Sequence, residues 1–300
     1  MKSLKTLIVS STFFAFAAAL LPTLARADEA LFGYVYTADT LPKGKWEYEQ
    51  WNTVRSGKSA GSYTAFDLRN EIEHGFTDKF TASFYLNSSY HYIHNVPDDE
   101  DTAVNLPEQN SMDISGASVE LKYQVLSPYK DPFGFTLYLE PELGVMDKIT
   151  GEPTIERAIE GKLIFQKNFL QDQLVWAGNL TAEPEWEIEH GDEREKELAF
   201  EMTTGLSYRF APSWFAGLEF RNHREFPDFK KQEHQASFLG PNLHYGAKAW
   251  WATLSVMPQI SGTPTFLGFD ANGNAIDNTP RHLAEHEKIE IRVKFGYNFG

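Results

Sequence analysis

From residue 289 onward the chain alternates without a break. Ile289, Ile291, Val293, Phe295, Tyr297 and Phe299 occupy one phase, and Glu290, Arg292, Lys294, Gly296, Asn298 and Gly300 the other. Successive side chains of an extended strand point to opposite faces, so a period of two predicts a strand with one apolar and one polar face. Leu198, Phe200, Met202, Thr204, Leu206, Tyr208 and Phe210 repeat the pattern, as do Phe80, Ala82, Phe84 and Leu86, and Phe135, Leu137 and Leu139. Twelve such segments are predicted, near residues 45–55, 63–74, 79–92, 113–126, 133–145, 155–167, 173–188, 197–210, 213–225, 235–245, 249–259 and 285–300.

Their connections alternate in length. Those at 75–78, 127–132, 168–172, 211–212 and 246–248 are short; those at 56–62, 93–112, 146–154, 189–196, 226–234 and 260–284 are longer and mostly polar. Bacterial outer-membrane barrels have even strand numbers, short periplasmic turns and longer outer loops. The fold class expected is therefore all-β, a transmembrane antiparallel up-and-down barrel of about 12 strands with both ends in the periplasm. Trp46, Phe80, Phe133, Trp176, Trp214, Trp250 and Trp251 fall near the predicted periplasmic strand ends and are expected to form an interfacial girdle, where an aromatic ring is half buried in lipid and its polar atom stays wet.

A soluble sandwich or lipocalin-like barrel would alternate too, with its apolar face inward. Alternation alone does not set that direction; the long strands, the clustered Trp and the aromatic-rich last strand favour the membrane. Pro141, Pro184, Pro241 and Pro258 fall inside or near strand ends, where each removes a ladder hydrogen bond, and Pro241 after Gly240 predicts a bulge.

The N-terminus supports export. Lys2 and Lys5 precede an apolar stretch from Leu7 to Leu21, followed by Pro22 and the small-residue site Ala25-Arg26-Ala27, the order of a secretory signal peptide cleaved after Ala27. The chain then divides into a signal peptide at 1–27, a segment at 28–43 that lies in the periplasm or inserts into the barrel, and the barrel at 44–300. Loss of Lys2, Lys5 and Arg26 leaves 24 basic against 42 acidic residues, so nucleic acid is not an expected partner. With no Cys, disulfides, thiolate sites and a lipid-modified N-terminal Cys are excluded. Beyond the leader no apolar run reaches the roughly 18 residues of a spanning helix, so membrane attachment must come from strands.

The stretches LFGYVYTADTLPKGKWEYEQW (Leu31 to Trp51), SPYKDPFGF (Ser127 to Phe135), FLGPNLHY (Phe238 to Tyr245) and WWATLSVMPQI (Trp250 to Ile260) resemble a family of bacterial outer-membrane proteins known only as a domain of unknown function. The resemblance spans nearly the whole mature chain. It implies a barrel and brings neither an activity nor site residues.

With the apolar phase toward lipid, the other phase puts Glu49, Arg69, Glu71, Glu120, Lys122, Glu140, Glu142, Glu160, Lys162, Glu201, Glu219, Arg221, Arg292 and Lys294 in the lumen, eight acids against six bases. Two readings stand side by side. Charged rings in a narrow lumen select ions, which points to a cation-preferring passive channel or uptake pore for a small solute. A paired network would instead fill the interior, since buried charges persist only when partnered. Glu183, Glu185, Glu187, Glu189, Asp192, Glu193, Glu195 and Glu197 crowd the outer end of the seventh segment, either to attract cations or as a solvated loop.

His91 and His94, His223 and His234, and His282 and His286 gather toward the outer side, but spacings of three and four suit ligands on a helix rather than a strand. No metal ligands and no cofactor are therefore expected. Asp270-Ala-Asn272-Gly-Asn274 starts like a calcium loop, yet Ala275 replaces the needed Gly and Arg281 the bidentate Glu. Gly57-Lys58-Ser59-Ala60-Gly61 matches G-x-S-x-G without a strand-to-helix turn and reads as a flexible tip. Asp98 and Asp99 lie in an acidic run within a long loop. No catalytic residue is assigned; a barrel enzyme of lipase or protease type, or a closed structural or adhesive barrel, is the alternative. The partners expected are outer-membrane lipid and lipopolysaccharide, the barrel-assembly machinery acting on the C-terminal strand, and a small solute.

Overall fold

The computed structural model describes residues 30–59, 61–95, 106–188, 194–264, 266–269, 275–277 and 280–300. The predicted leader, the acidic run at 98–101 and the calcium-like stretch at 270–274 lie outside them. The strands in chain order are β1 (Trp46–Ser56), β2 (Ser62–Thr77), β3 (Phe80–His94), β4 (Gln109–Leu126), β5 (Gly134–Met146), β6 (Pro153–Phe169) and β7 (Leu174–Ile188). There follow β8 (Arg194–Ala211), β9 (Trp214–Pro227), β10 (His234–Gly246), β11 (Trp250–Gly262), β12 (Phe266–Phe269), β13 (Ala275–Asp277) and β14 (Ile289–Phe299). Twelve of them close into one antiparallel barrel in chain order, with β14 returning to β1 in a register running from Trp46↔Phe299 to Ser56↔Ile289. The remaining two, β12 and β13, form a small hairpin in the last outer loop, where no strand was expected.

The direction of the alternation is the decisive point. On β14, Val293, Phe295, Tyr297 and Phe299 are 37–47% exposed, whereas Glu290 and Lys294 are 3% exposed. On β8, Met202, Leu206 and Tyr208 face out, while Thr203 and Ser207 are buried. The apolar phase therefore lies on the outside of a closed barrel, where only hydrocarbon can cover it, and the polar phase points to the centre. A closed strand ring leaves no unpaired edge strand, so the backbone groups within the apolar zone are bonded largely within the wall. This is a transmembrane barrel of the outer-membrane type.

Each strand proline sits where pairing with one neighbour lapses. No ladder pairs join 119–120 of β4 to 140–141 of β5, 159–160 of β6 to 183–184 of β7, or 239–241 of β10 to 256–258 of β11. Pro141, Pro184, Pro241 and Pro258 lie in those gaps and keep their pairing on the other side, opposite Ile159, Leu198, Leu218 and Ile289. Prolines are thus tolerated because the missing N–H falls on a seam already open. The register shift in β10 falls between Ser237 and Phe238 rather than at Pro241. At Gly240 a side chain would overlap the Val256 carbonyl at 1.7 Å, so the glycine serves the close approach of two backbones.

Residues 30–43 form no strand. They enter the barrel from the end carrying the short turns, where Pro42 and Lys43 are exposed, and 30–41 lie inside it, with Phe32, Val35, Ala38 and Leu41 at most 2% exposed.

Candidate functional site

The inner half of the lumen is occupied by this segment. An extended chain without sheet partners must find hydrogen bonds elsewhere when buried, and here the barrel wall's side chains supply them. Glu219 of β9 accepts from the N–H groups of Gly33, Tyr34 and Val35 at 2.9, 2.7 and 3.2 Å. Asn179 of β7 accepts from Tyr36 N at 2.8 Å and donates to Tyr36 O at 2.9 Å. Ala38 N donates to Gln166 of β6, and Ala38 O accepts from Gln124 of β4 and Thr136 of β5. Leu41 N reaches Thr81 of β3, and at the other side Asn242 of β10 donates to Leu31 O. The segment thus crosses the barrel from β10 and β11 to β3, bonded to the wall along the way. The wall is shaped for it: at Gly205 a side chain would fall 2.6 Å from the Phe32 ring.

Toward the outer end the interior opens into a cavity of about 480 Å³, floored by Tyr34 and Tyr36 of the inner segment. Its lining carries fourteen Asp and Glu against six Arg and Lys. Arg292 lies 3.9 Å above the Tyr34 ring and Lys162 4.8 Å above that of Tyr36, so cations are placed on the floor's aromatic faces. Arg55 binds Asp67 at 2.6 Å and Glu287 at 2.9 Å, and Arg221 binds Glu201 at 2.5 Å and Glu290 at 2.9 Å. Most of the excess carboxylates, among them Glu142, Glu156, Glu183, Glu185, Glu187 and Glu197, belong to β5 through β8, so one side of the cavity is strongly negative.

The expected lumen residues divide by depth. Arg69, Glu142, Glu160, Lys162, Glu201, Arg221 and Arg292 line the cavity. Glu49, Glu71, Glu120, Lys122 and Lys294 surround a smaller void beside Val35 and Thr37. Glu219 is spent on the inner segment, and Glu140, fully buried, meets Arg69, Ser118 and the Tyr138 hydroxyl. Of the expected girdle, Trp46, Phe133, Trp176, Trp214 and Trp250 are 39–42% exposed on the outside, with Phe80 beside them, partly buried. Trp251 does not belong to it. It is 0% exposed, because alternation after the outward Trp250 turns it into the barrel, where its indole N–H donates to Glu47.

The loop that reads as a flexible tip is instead anchored. Lys58 is buried and pairs with Glu287 at 3.1 Å, and Ser59 N donates to Leu283 O at 3.0 Å; Ala60 lies outside the described residues. Burial alone would push the Glu287 carboxyl up, but the Lys58 and Arg55 charges beside it outweigh that and hold it below the usual carboxylate range. Lys148, in the loop after β5, has a side chain more than half exposed and pairs with Glu156 at 3.1 Å.

Among the histidines, His94 pairs with Glu108 at the surface, and His91 lies apart, near Lys148. His223, His234, His282 and His286 converge from β9, β10 and the irregular stretch before β14, with ring separations of 4.1 to 5.9 Å. Sequence spacing could not show this, since residues 223 and 286 meet only across the closed barrel.

Comparison with known proteins agrees with the architecture. The model of a family of unknown function, DUF6662, matches residues 24–299, and the chain belongs to that family. No curated protein matches the sequence. Among solved structures, an outer membrane channel from Pseudomonas putida F1 is similar at 10% identity and a TM-score of 0.54, covering 87% of this chain and 97% of that one. The NanC porin aligns at 10% identity and a TM-score of 0.48 over 83% and 98% of the two chains, and the KdgM porin in complex with oligogalacturonate at 14% and 0.46 over 85% and 99%. These likenesses are of fold. The closed barrel with its lipid-facing exterior places the protein in the outer membrane.

Proposed function

We propose that this member of a family without an assigned activity is an uptake pore for a small cationic solute, with an outer vestibule that collects it and an inner segment that must shift for it to pass. The vestibule's surplus of carboxylates carries this reading. A cleft lined by one sign of charge within low-dielectric walls concentrates the opposite ion, and fourteen acids against six Arg and Lys make that sign negative. The cation-covered tyrosine floor sets the depth to which a solute descends before it meets residues 30–43. The aromatic C-terminal strand is the part we assign to the barrel-assembly machinery.

Planar-bilayer recordings test this reading. The intact mature chain is expected to give rare or small steps, and a variant lacking residues 30–42 larger, cation-selective ones. A second variant keeps the segment but loosens it: Asn179→Ala with Gln166→Ala, which removes the side chains that hold Tyr36 and Ala38, should give steps between those of the intact chain and those of the deletion. A folded deletion variant that fails to conduct, or that prefers anions, overturns the proposal.

A further inference from the structure

The histidine cluster at the outer rim is not used by this reading. His234 opens β10 directly across the ladder from Glu225 of β9, and its Nε2 lies 2.6 Å from Glu225 Oε2. His282 and Glu285 arrive from the stretch leading into β14, whose path is pinned to the wall. The fully buried Gln259 accepts from His282 N at 2.7 Å and donates to the carbonyls of His282 at 2.8 Å and Glu287 at 3.2 Å. The His234 and His282 rings stack at 4.1 Å, and both are more than nine-tenths buried.

Three atoms at the centre of this arrangement stand out. His282 Nε2 is buried without a hydrogen-bond partner, and His234 Nε2 and Glu285 Oε2, buried beside it, lie within 4.8 Å of it and of each other. Buried polar atoms are normally satisfied, yet these three point at one another, with His234 Nε2 against Glu285 Oε2 and His282 Nε2 3.7 Å from the same oxygen. A tetrahedral ion with bonds near 2.0–2.1 Å keeps its ligand atoms roughly 3.3 Å apart, so small side-chain rotations within this cluster suffice to seat one. The tautomer also fits. His282 Nδ1 lies 3.0 Å from the Thr263 carbonyl, an acceptor, so that nitrogen carries the proton and Nε2 presents its lone pair. Ligating histidines are typically oriented by such a contact on the far nitrogen.

We propose that His234, His282 and Glu285, completed by Glu225, bind one divalent transition-metal ion of the zinc class. Two imidazoles and two carboxylates suit zinc, copper(II) or nickel, whereas calcium and magnesium take shells of oxygen. The acid clusters deeper in the lumen are different in kind: Glu120, for example, already accepts from the Tyr85 hydroxyl at 2.6 Å. Glu225 and Glu285 also line the vestibule, so an ion drawn into it arrives beside its ligands. His286, whose Nε2 is likewise unpartnered, borders the site 5.4 Å from His234 and offers a further imidazole on that route.

Binding is measurable without a bilayer, so the proposal stands or falls separately from conduction. Tag-free mature protein in detergent would be titrated with zinc by calorimetry, with folding checked by heat-modifiable gel mobility. One equivalent is expected, weakened about 100-fold by His234→Ala or His282→Ala and about 10-fold by Gln259→Ala, the range reported for loss of supporting contacts. His94→Ala should leave it unchanged. Copper(II) added to the unaltered chain should show hyperfine coupling to two imidazole nitrogens in its paramagnetic resonance spectrum. No zinc uptake by folded protein, an affinity indifferent to both histidine substitutions, or an oxygen-only copper spectrum would sink the proposal.

Discussion

The two halves of the lumen are built from the same alternating strands and serve opposite ends. In the inner half the wall's polar side chains are consumed: Glu219, Asn179, Gln166 and Thr81 each hold a main-chain group of residues 30–43. In the outer half the wall's charges face a cavity and are only partly neutralised. Burial depth, more than residue type, decides which carboxylate holds the structure and which faces the open cavity. Glu140 and Glu142 make the point, two residues apart on one face of β5. The first is 0% exposed and ligated by Arg69, Ser118 and Tyr138; the second lines the vestibule.

Breaking that contrast gives the largest effect. Glu140→Ala strands the Arg69 charge in the interior, and removing one partner of a buried ion pair costs about 3–5 kcal/mol. Its urea-unfolding midpoint in detergent should fall sharply, whereas Glu142→Ala should leave it nearly unchanged; equal shifts would erase the division by depth. Glu219→Ala comes next, since it orphans the buried N–H groups of Tyr34 and Val35, while Gly33 N keeps its bond to Ser255 Oγ. With each unmet donor costing about 1–3 kcal/mol before relaxation, the variant should expose residues 30–43 to added protease while the barrel itself stays closed.

Acid should loosen the outer rim before the inner half. Glu287 titrates below its ordinary value near 4.5, so its pairing with Lys58 and Arg55 contributes fully above that pH and is lost as pH falls through the lower folded value. Hydrogen exchange at 57–59 and 283–288 should therefore rise below pH 4.5 in the parent, and Glu287→Gln should show that faster exchange already at neutral pH. The smallest structural effect belongs to Glu142→Lys, which should shift stability by less than about 1 kcal/mol while lowering cation preference in any conducting form. Unchanged selectivity there would show that the rate-limiting barrier lies at the inner segment and not in the vestibule.

Period-two patterning carries the strands because burial on one face forces it residue by residue, and β14 displays it over its whole length. Phase also separated inward from outward positions, and Trp251 escaped only because a tryptophan near a strand end was grouped with its neighbour Trp250. Depth and distant convergence are not local properties, so they were illegible. LFGYVYTADTLP has no polar phase of its own, since both sides of it meet the barrel interior, and its hydrogen-bond partners come from nine strands. The rim histidines, separated by up to 63 positions in the chain, are brought together only by the order of strands around the ring. The tie of Lys58 to Glu287 depends on the same closure.

A ring sealed by its own backbone has no side door. Because residues 30–43 are knotted by hydrogen bonds to both early strands and late ones, from Thr81 on β3 to Arg292 on β14, the inside of this molecule cannot be finished before its circumference, nor the circumference settle around a void. Biogenesis must then deliver the wall and the segment inside it as one event.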